Sequence, residues 1–247
     1  MRFDTTPHDF RLIGNFVPPL AATSPSVSMW SQKVTGAAPP VVSNLGTGLK
    51  LALTNASQAQ CLQVNFNDLL PFDIDDIAYA AFDAYIPAGD QLSVSAVRAF
   101  IGLGSAMNAD YSAMTYLAGF SIAGGTTQGN VYAEADDNSS DKAADTGIAM
   151  PTSFRTFLID FYSGVKPGYG STAARGGKEV PRFWICDAGA TPNRGNRKEV
   201  CKTTDFSMGN YSGNLQPIIQ IEKASGTGTG SLVVSRVRIW TRDSFAT

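Results

Sequence analysis

Two apolar runs near the C-terminal end of the chain, Leu215–Glu222 and Leu232–Trp240, are separated by a loop that alternates Gly and Thr. Within the first run Ile219 and Ile221 fall on one face, and Ile218, Gln220 and Glu222 on the other. In the second, Val233, Val237 and Ile239 oppose Arg236, Arg238 and Trp240. Period-2 alternation on either side of a short Gly-rich loop predicts a β-hairpin. Gly226, Gly228 and Gly230 would supply a turn with positive φ. The same reading upstream gives nine more strands: Val27–Val34, Gly48–Thr54, Gln60–Phe66, Ile77–Ile86, Leu92–Leu103, Tyr116–Ile122, Val131–Ala135, Phe154–Tyr162 and Arg182–Cys186. Phe154–Tyr162 is apolar on both faces, which predicts a central strand. Ala78–Tyr85 has some helical propensity, but its aromatics and flanks favour a strand. The best helix candidate is short, around Asp68–Asp76. Long irregular segments are expected over Gly124–Pro151 and Lys166–Asn196.

This pattern predicts an all-β fold, an antiparallel two-sheet sandwich of jelly-roll type. Residues 1–25 are punctuated by Pro7, Pro18, Pro19 and Pro25 and read as an extended N-terminal arm. Residues 26–247 then form a single sandwich domain. The arm's apolar side chains Phe3, Phe10, Leu12, Ile13, Phe16 and Val17 need a surface. Either they lie on their own domain or they reach a neighbouring subunit.

Composition narrows the class. Hydrophobic residues make up 43% of the 247, which suits a globular core, whereas charged residues are only 16%, below the usual ~25%. That sparse charge suits a protein packed against others. The net charge of −2 and the absence of a basic tail argue against nucleic-acid capture. No apolar run is long enough to span a membrane. The N-terminal residues lack the apolar core of a signal peptide, which points to synthesis in a cytoplasm.

Candidate chemistry is thin. Three cysteines without a CxxC, and one histidine, argue against zinc. Cys186 and Cys201 could meet across a hairpin as a disulfide, but reduced, partly buried thiols are the better reading. Glu134, Asp136, Asp137, Asp141 and Asp145 form an acidic loop without the spacing of an EF-hand, so a solvated loop outweighs calcium. Asp83 and Asp160 are lone acids in apolar runs and read as hydrogen-bonded structural carboxylates. The acid pair needed for glycoside hydrolysis is missing. His8, without a second base or a nucleophile nearby, is a poor catalyst. Gly102-Leu103-Gly104 and the GTGTG loop lack phosphate-loop context and read as turns. The chain is therefore expected to have no catalytic residue, no metal and no cofactor. Arg175, Lys178, Arg182, Arg194, Arg197, Lys198 and Lys202 are the one charge concentration. They could face an acidic partner, including the acidic loop of another copy, or be solvated.

The run QPIIQIEKASGTGTGSLVVSRVRIWTR resembles the closing strands of concanavalin A-like jelly-roll domains in tailed-phage virion proteins. The matching residues are Gln216, Pro217, Lys223, Ala224, Ser225, Gly226, Val237 and Trp240. FRTFLIDFYSG and RFWICD are similar to that family's middle strands. The resemblance implies a capsid decoration (cement) protein on the outer surface of the virion, made in the host bacterial cytoplasm. Its implied partners are the major capsid protein and copies of itself, as a homotrimer. The arm, with the loop cations Arg175, Lys178, Arg194 and Arg197, would make the contacts. A carbohydrate- or receptor-binding domain of a fibre or tail is the alternative, which leaves glycan binding open, and a glycan hydrolase is a more distant one.

Overall fold

The computed structural model describes residues 7–12, 30–36, 40–92, 96–125, 129–161, 180–191 and 196–241. Sixteen strands are found among them: β1 His8–Arg11, β2 Ser31–Thr35, β3 Val41–Asn44, β4 Leu49–Ala52, β5 Gln60–Asn65, β6 Phe72–Asp73, β7 Ile77–Tyr85 and β8 Val97–Gly104, then β9 Tyr116–Ala123, β10 Asn130–Asp137, β11 Asp141–Ala149, β12 Arg155–Asp160, β13 Arg182–Asp187, β14 Arg197–Val200, β15 Asn214–Lys223 and β16 Ser231–Thr241. One sheet runs β14-β13-β12-β7-β16-β4-β3, with β1 added to β16. The other runs β11-β10-β9-β8-β15-β5-β2, with β6 added to β15. Every pairing is antiparallel. The fold is the all-β, two-sheet jelly-roll sandwich of concanavalin A-like type that the sequence predicts.

Alternation explains the core. Leu62 and Val64 on β5, Ile219 and Ile221 on β15, Ala99 and Ile101 on β8, and Phe120 on β9 point inward from one sheet. Phe82, Phe157, Ile159, Phe183, Val237 and Ile239 meet them from the other. Phe120 packs edge-on against Phe157 and Phe183, with ring centroids 5.2 and 5.4 Å apart. The expected central strand is confirmed: β12 lies between β7 and β13 and is buried beyond its first residue.

The expected C-terminal hairpin is not one. β15 belongs to one sheet, between β8 and β5, and β16 to the other, beside β7 and β4. The Gly/Thr loop crosses from sheet to sheet. Alternation tells which face of a strand is buried, and says nothing about which strand lies beside it. Both strands are buried on both faces and bordered on both sides, which a lone hairpin cannot offer. Lys223 holds the crossing in place: its Nζ donates to the carbonyls of Thr54 (2.7 Å), Ala56 (2.7 Å) and Gly228 (3.1 Å). Among the loop glycines only Gly226 uses a positive φ, 77°. Gly230 is small for another reason, since a Cβ there would sit 2.6 Å from Leu92.

The register of β16 slips between Val234 and Arg236. This bulge at Ser235 changes the phase, so Leu232 and Val234 face the core before it, and Val237 and Ile239 after it. Val233 therefore does not share the core-facing side with Val237, contrary to the simple alternation.

Three local expectations are also corrected. Asp68–Asp76 is not a helix. Asn67, Asp68 and Leu70 have φ of 56°, 58° and 46°, and the two-residue β6 follows. Pro71 interrupts the segment, and Gln216 captures the backbone N–H groups of Phe66 and Asp68 with its Oε1 (3.0 and 3.1 Å). The only helical element among the described residues is a short 3-10 turn, Tyr111–Ala113. Gly124–Pro151 is not one long loop: β10 and β11 form a hairpin across much of it. The small residues at its inward positions, such as Ala133, Ala135 and Ala144, hide the apolar period. Gly102 and Gly104 lie inside β8 and not in a turn. Gly102 faces Gly119 of β9, and a Cβ on either would meet the Phe100 ring, at 2.7 Å from Gly102 and 2.5 Å from Gly119. The glycine pair is a seat for that ring.

Candidate functional site

The first concentration of chemistry lies on the outward face of the sheet that contains β15. Alternation places Gln63 and Asn65 of β5, Gln216, Gln220 and Glu222 of β15, and Arg98 of β8 on that side. All but Arg98 are buried. The segment around the Tyr111–Ala113 turn covers them. Tyr111 stacks on Phe100 with centroids 5.2 Å apart and planes 13° apart, and Arg98 lies over its ring. The amides form a directed chain: Asn65 Nδ2 donates to Gln63, Gln63 Nε2 to Gln220, and Gln220 Nε2 to Glu222. The chain ends on a carboxylate that also accepts from Arg98 and from the Tyr111 backbone N–H (2.9 Å). Arg98 in turn reaches Asp110 at 2.7 Å. Burial raises the Glu222 carboxyl, and Arg98 pulls against it. At the other end, Gln216 Nε2 donates to Asp68 Oδ1 (2.5 Å), which also accepts from the Met107 backbone N–H (3.0 Å). The network clamps the covering segment at both ends.

Glu134 of β10 lies at the far side of Tyr111, accepting from the Ser121 hydroxyl and, at 3.5 Å, from the Tyr111 hydroxyl. Burial pushes its carboxyl from the ordinary 4.5 up to about 7. The folded state then holds a proton that the unfolded state has lost, so this group subtracts stability as pH rises from 4.5 toward 7. Glu134→Gln is expected to flatten that decline and to be more stable than the parent at pH 8. Urea unfolding across the range tests it, and an unchanged slope between the two proteins would refute the assignment.

The opposite outward face holds a buried ion pair. Arg238 of β16 donates through Nη2 to Asp83 Oδ1 of β7 (2.9 Å), and Thr156 Oγ1 donates to the same oxygen at 2.5 Å. The other terminal nitrogen, Nη1, reaches the carbonyls of Ala190 (2.8 Å) and Gly189 (3.3 Å). Asp83 is thus a structural carboxylate. Asp160 is also buried.

The second concentration lies at one open side of the sandwich, where β11 and β14 form the edges of the two sheets. The two edges approach there: Cys201 Sγ contacts the carbonyls of Ala144 (3.4 Å) and Asp145 (3.5 Å) on β11. A cleft of about 440 Å³ opens between them, floored by Ile148, Pro151 and Ile185 and rimmed by Arg155, Arg197 and Lys198. Arg197 lies over the Trp184 ring, 5.0 Å from its centroid, and Arg155 pairs with Asp187.

The residues singled out in the sequence divide accordingly. Phe10 and Leu12 are spent on the chain's own core: β1 pairs with β16, Phe10 packs on Phe66 with centroids 5.0 Å apart, and Leu12 is fully buried. They are thus not free to reach a neighbour, and the segment 7–12 belongs to the sandwich. Phe3, Ile13, Phe16, Val17, Arg175, Lys178 and Arg194 lie outside the described residues, and Arg197 is exposed on β14. The acidic residues are on the β10–β11 hairpin, and among the described residues no cluster of His, Cys, Asp and Glu could hold a metal ion. Cys61, Cys186 and Cys201 are free thiols, and no disulfide joins the last two. Of the aromatics that a glycan-binding surface could use, Tyr111 is buried, Tyr116 stacks on Tyr211, Tyr132 is exposed, Trp184 lies under Arg197 and Tyr169 lies outside the described residues. Sequence reasoning missed the buried amide chain. Its one signal was Gln and Asn on one face of each strand, Gln63 and Asn65 on β5 and Gln216 and Gln220 on β15.

No family model and no curated protein sequence matches the chain. Among solved structures it is similar to a protein of unknown function from Shewanella oneidensis MR-1, with TM-score 0.55, 9% identity, and coverage of 94% of this chain and 84% of that one. A family 16 glycoside hydrolase endo-glucanase from Bacteroides ovatus gives TM-score 0.48 and 9% identity, over 94% and 98%. A pseudo β-1,3-glucanase of Mycobacterium tuberculosis gives 0.46 and 10%, over 94% and 97%. At these identities the likeness is one of fold alone.

Proposed function

We propose that the chain is a structural protein of a tailed-phage virion, a decoration protein that binds the major capsid protein on the outer surface of the head. It works by protein–protein contact and performs no chemistry. The observation that carries this reading is the contrast between the two concentrations of polar groups. On the outward sheet faces, Glu222 and Asp83 are consumed by internal partners. At the open edge, Arg197 and Lys198 stand exposed beside an apolar cleft. The resemblance of the QPIIQIEKASGTG run adds the virion context, although Lys223 itself acts as a clamp on the sheet crossing and not as a contact residue.

The test uses heads of the phage that encodes the chain, stripped of it. Purified protein is expected to co-sediment with them at a fixed copy number and to raise the temperature at which they release DNA. Protein that stays in the supernatant at saturating concentration would overturn the assignment. A glycan array hit lost on replacing Tyr132 would point to a receptor-binding role instead.

A further inference from the structure

We infer that the open side of the sandwich is a self-complementary docking surface, through which two copies of this chain pair about a two-fold axis. The inference deepens the reading of the chain as a protein that works by contact, and it concerns the copy-to-copy contact alone.

The edge strand β11 and its neighbour β10 carry Asp136, Asp141 and Asp145 on or beside the sheet margin, with Asp141 and Asp145 exposed. None of the three forms an ion pair among the described residues. Asp136 and Asp145 accept only from the backbone N–H groups of Asn138 and Gly147 and from the Asn130 amide. Burial raises Glu134 and Asp136, and the Asp141 carboxylate adds to the rise in both. Lys142 is the one cation on that strand.

The other edge, β14, carries the opposite charge. Arg197 and Lys198 are both exposed, and among the described residues neither has a carboxylate partner. Lys202 follows, and Glu199 is already engaged by Arg182 and Lys202, each at 3.9 Å. Like charges held together unpaired cost stability in the isolated chain and are relieved by a surface of opposite sign.

Both edges lie on the same side of the sandwich, as the contact between Cys201 and β11 shows. That placement decides the symmetry. A two-fold axis running along the strands, through this side, exchanges the two sheets and sets the basic edge of each copy against the acidic edge of the other, twice over. A three-fold ring would need the two patches on different sides. The apolar floor of the cleft, Ile148, Pro151 and Ile185, is then covered by the partner. The pairing replaces the homotrimer that the family resemblance implies with a dimer.

Sedimentation velocity of the full chain tests this at about 0.1 M salt, where charges act over about 10 Å, and at about 1 M, where the range falls to about 3 Å. A dimer is expected at low salt that dissociates at high salt. Lys198→Glu and Asp141→Lys change exposed side chains with no ion pair among the described residues. Each is expected to weaken the dimer by about tenfold or more. An equimolar mixture of the two variants is expected to recover a dimer, because each then supplies what the other lacks. A chain that stays monomeric at low salt, forms a trimer, or dimerises without response to either reversal overturns the inference. Head binding is read in a separate experiment, so a dimer that fails to bind heads refutes the virion role and leaves the pairing standing, and the converse also holds.

Discussion

Deleting residues 1–12 is expected to unfold much of the protein, not to release a spare arm. β1 lies along one side of β16, its one strand partner among the described residues. It pairs with Arg236–Ile239 on β16, while β4 takes Ser231–Val234 on the same strand. Without β1 half of a central strand loses a neighbour. The contact is also well packed: Phe10 touches Trp30, Phe66 and Phe72, and Asp9 grips Arg236 with two parallel hydrogen bonds. Leu12→Ala alone should cost about 2–5 kcal/mol, the range for a fully buried leucine. Asp9→Ala, at a partly exposed pair, should cost less than about 1 kcal/mol. Chemical denaturation of the three proteins checks this order. A Leu12→Ala variant within about 0.5 kcal/mol of the parent would mean that the segment is not docked as described.

The second large effect is expected at Asp83. Its replacement by Ala leaves Arg238, 1% exposed at its side chain, without a counter-charge. Removing one member of a buried pair costs about 3–5 kcal/mol, because the remaining charge is stranded away from water. Arg238 has no spare bonds to compensate, since its Nε has no partner and its Nη1 holds only backbone carbonyls. Replacing both residues with apolar ones, Asp83→Leu with Arg238→Met, should recover most of the loss. The cycle of two single variants and the double variant measures the coupling. If Asp83→Ala costs less than about 1 kcal/mol, or if the double variant is worse than the sum of the singles, the pair is not the buried contact described.

The sequence made the sandwich legible, because strand faces follow from period-2 alternation and most strands here have a strong one. Partners were less legible. The Leu215–Trp240 segment reads as a hairpin by every local rule, yet its two strands serve different sheets. That choice depends on long-range burial of both faces. Asp68–Asp76 failed for the opposite reason. The backbone turns through positive φ at Asn67, Asp68 and Leu70, and Gln216, distant in sequence, holds that turn by accepting from the N–H groups of Phe66 and Asp68. Of the candidate contact residues, Arg197 could be found because charge at a turn-rich margin stays exposed. Phe10 and Leu12 could not be assigned, because an apolar residue in an extended segment fits its own core as well as a neighbour's.

The crossing at Lys223 also has a bearing on when the protein can fold. β15 and β16 are the last strands in chain order, and each is an inner strand of a different sheet. Until both have been synthesised, β8 and β5 have no strand to join them, and neither do β7 and β4. The nascent chain thus carries two half-sheets with open apolar edges. Folding waits for both strands, is dominated by contacts between distant parts of the sequence, and is slow for a chain of this size. Premature termination anywhere before Leu215 would yield an aggregating fragment and not a smaller domain.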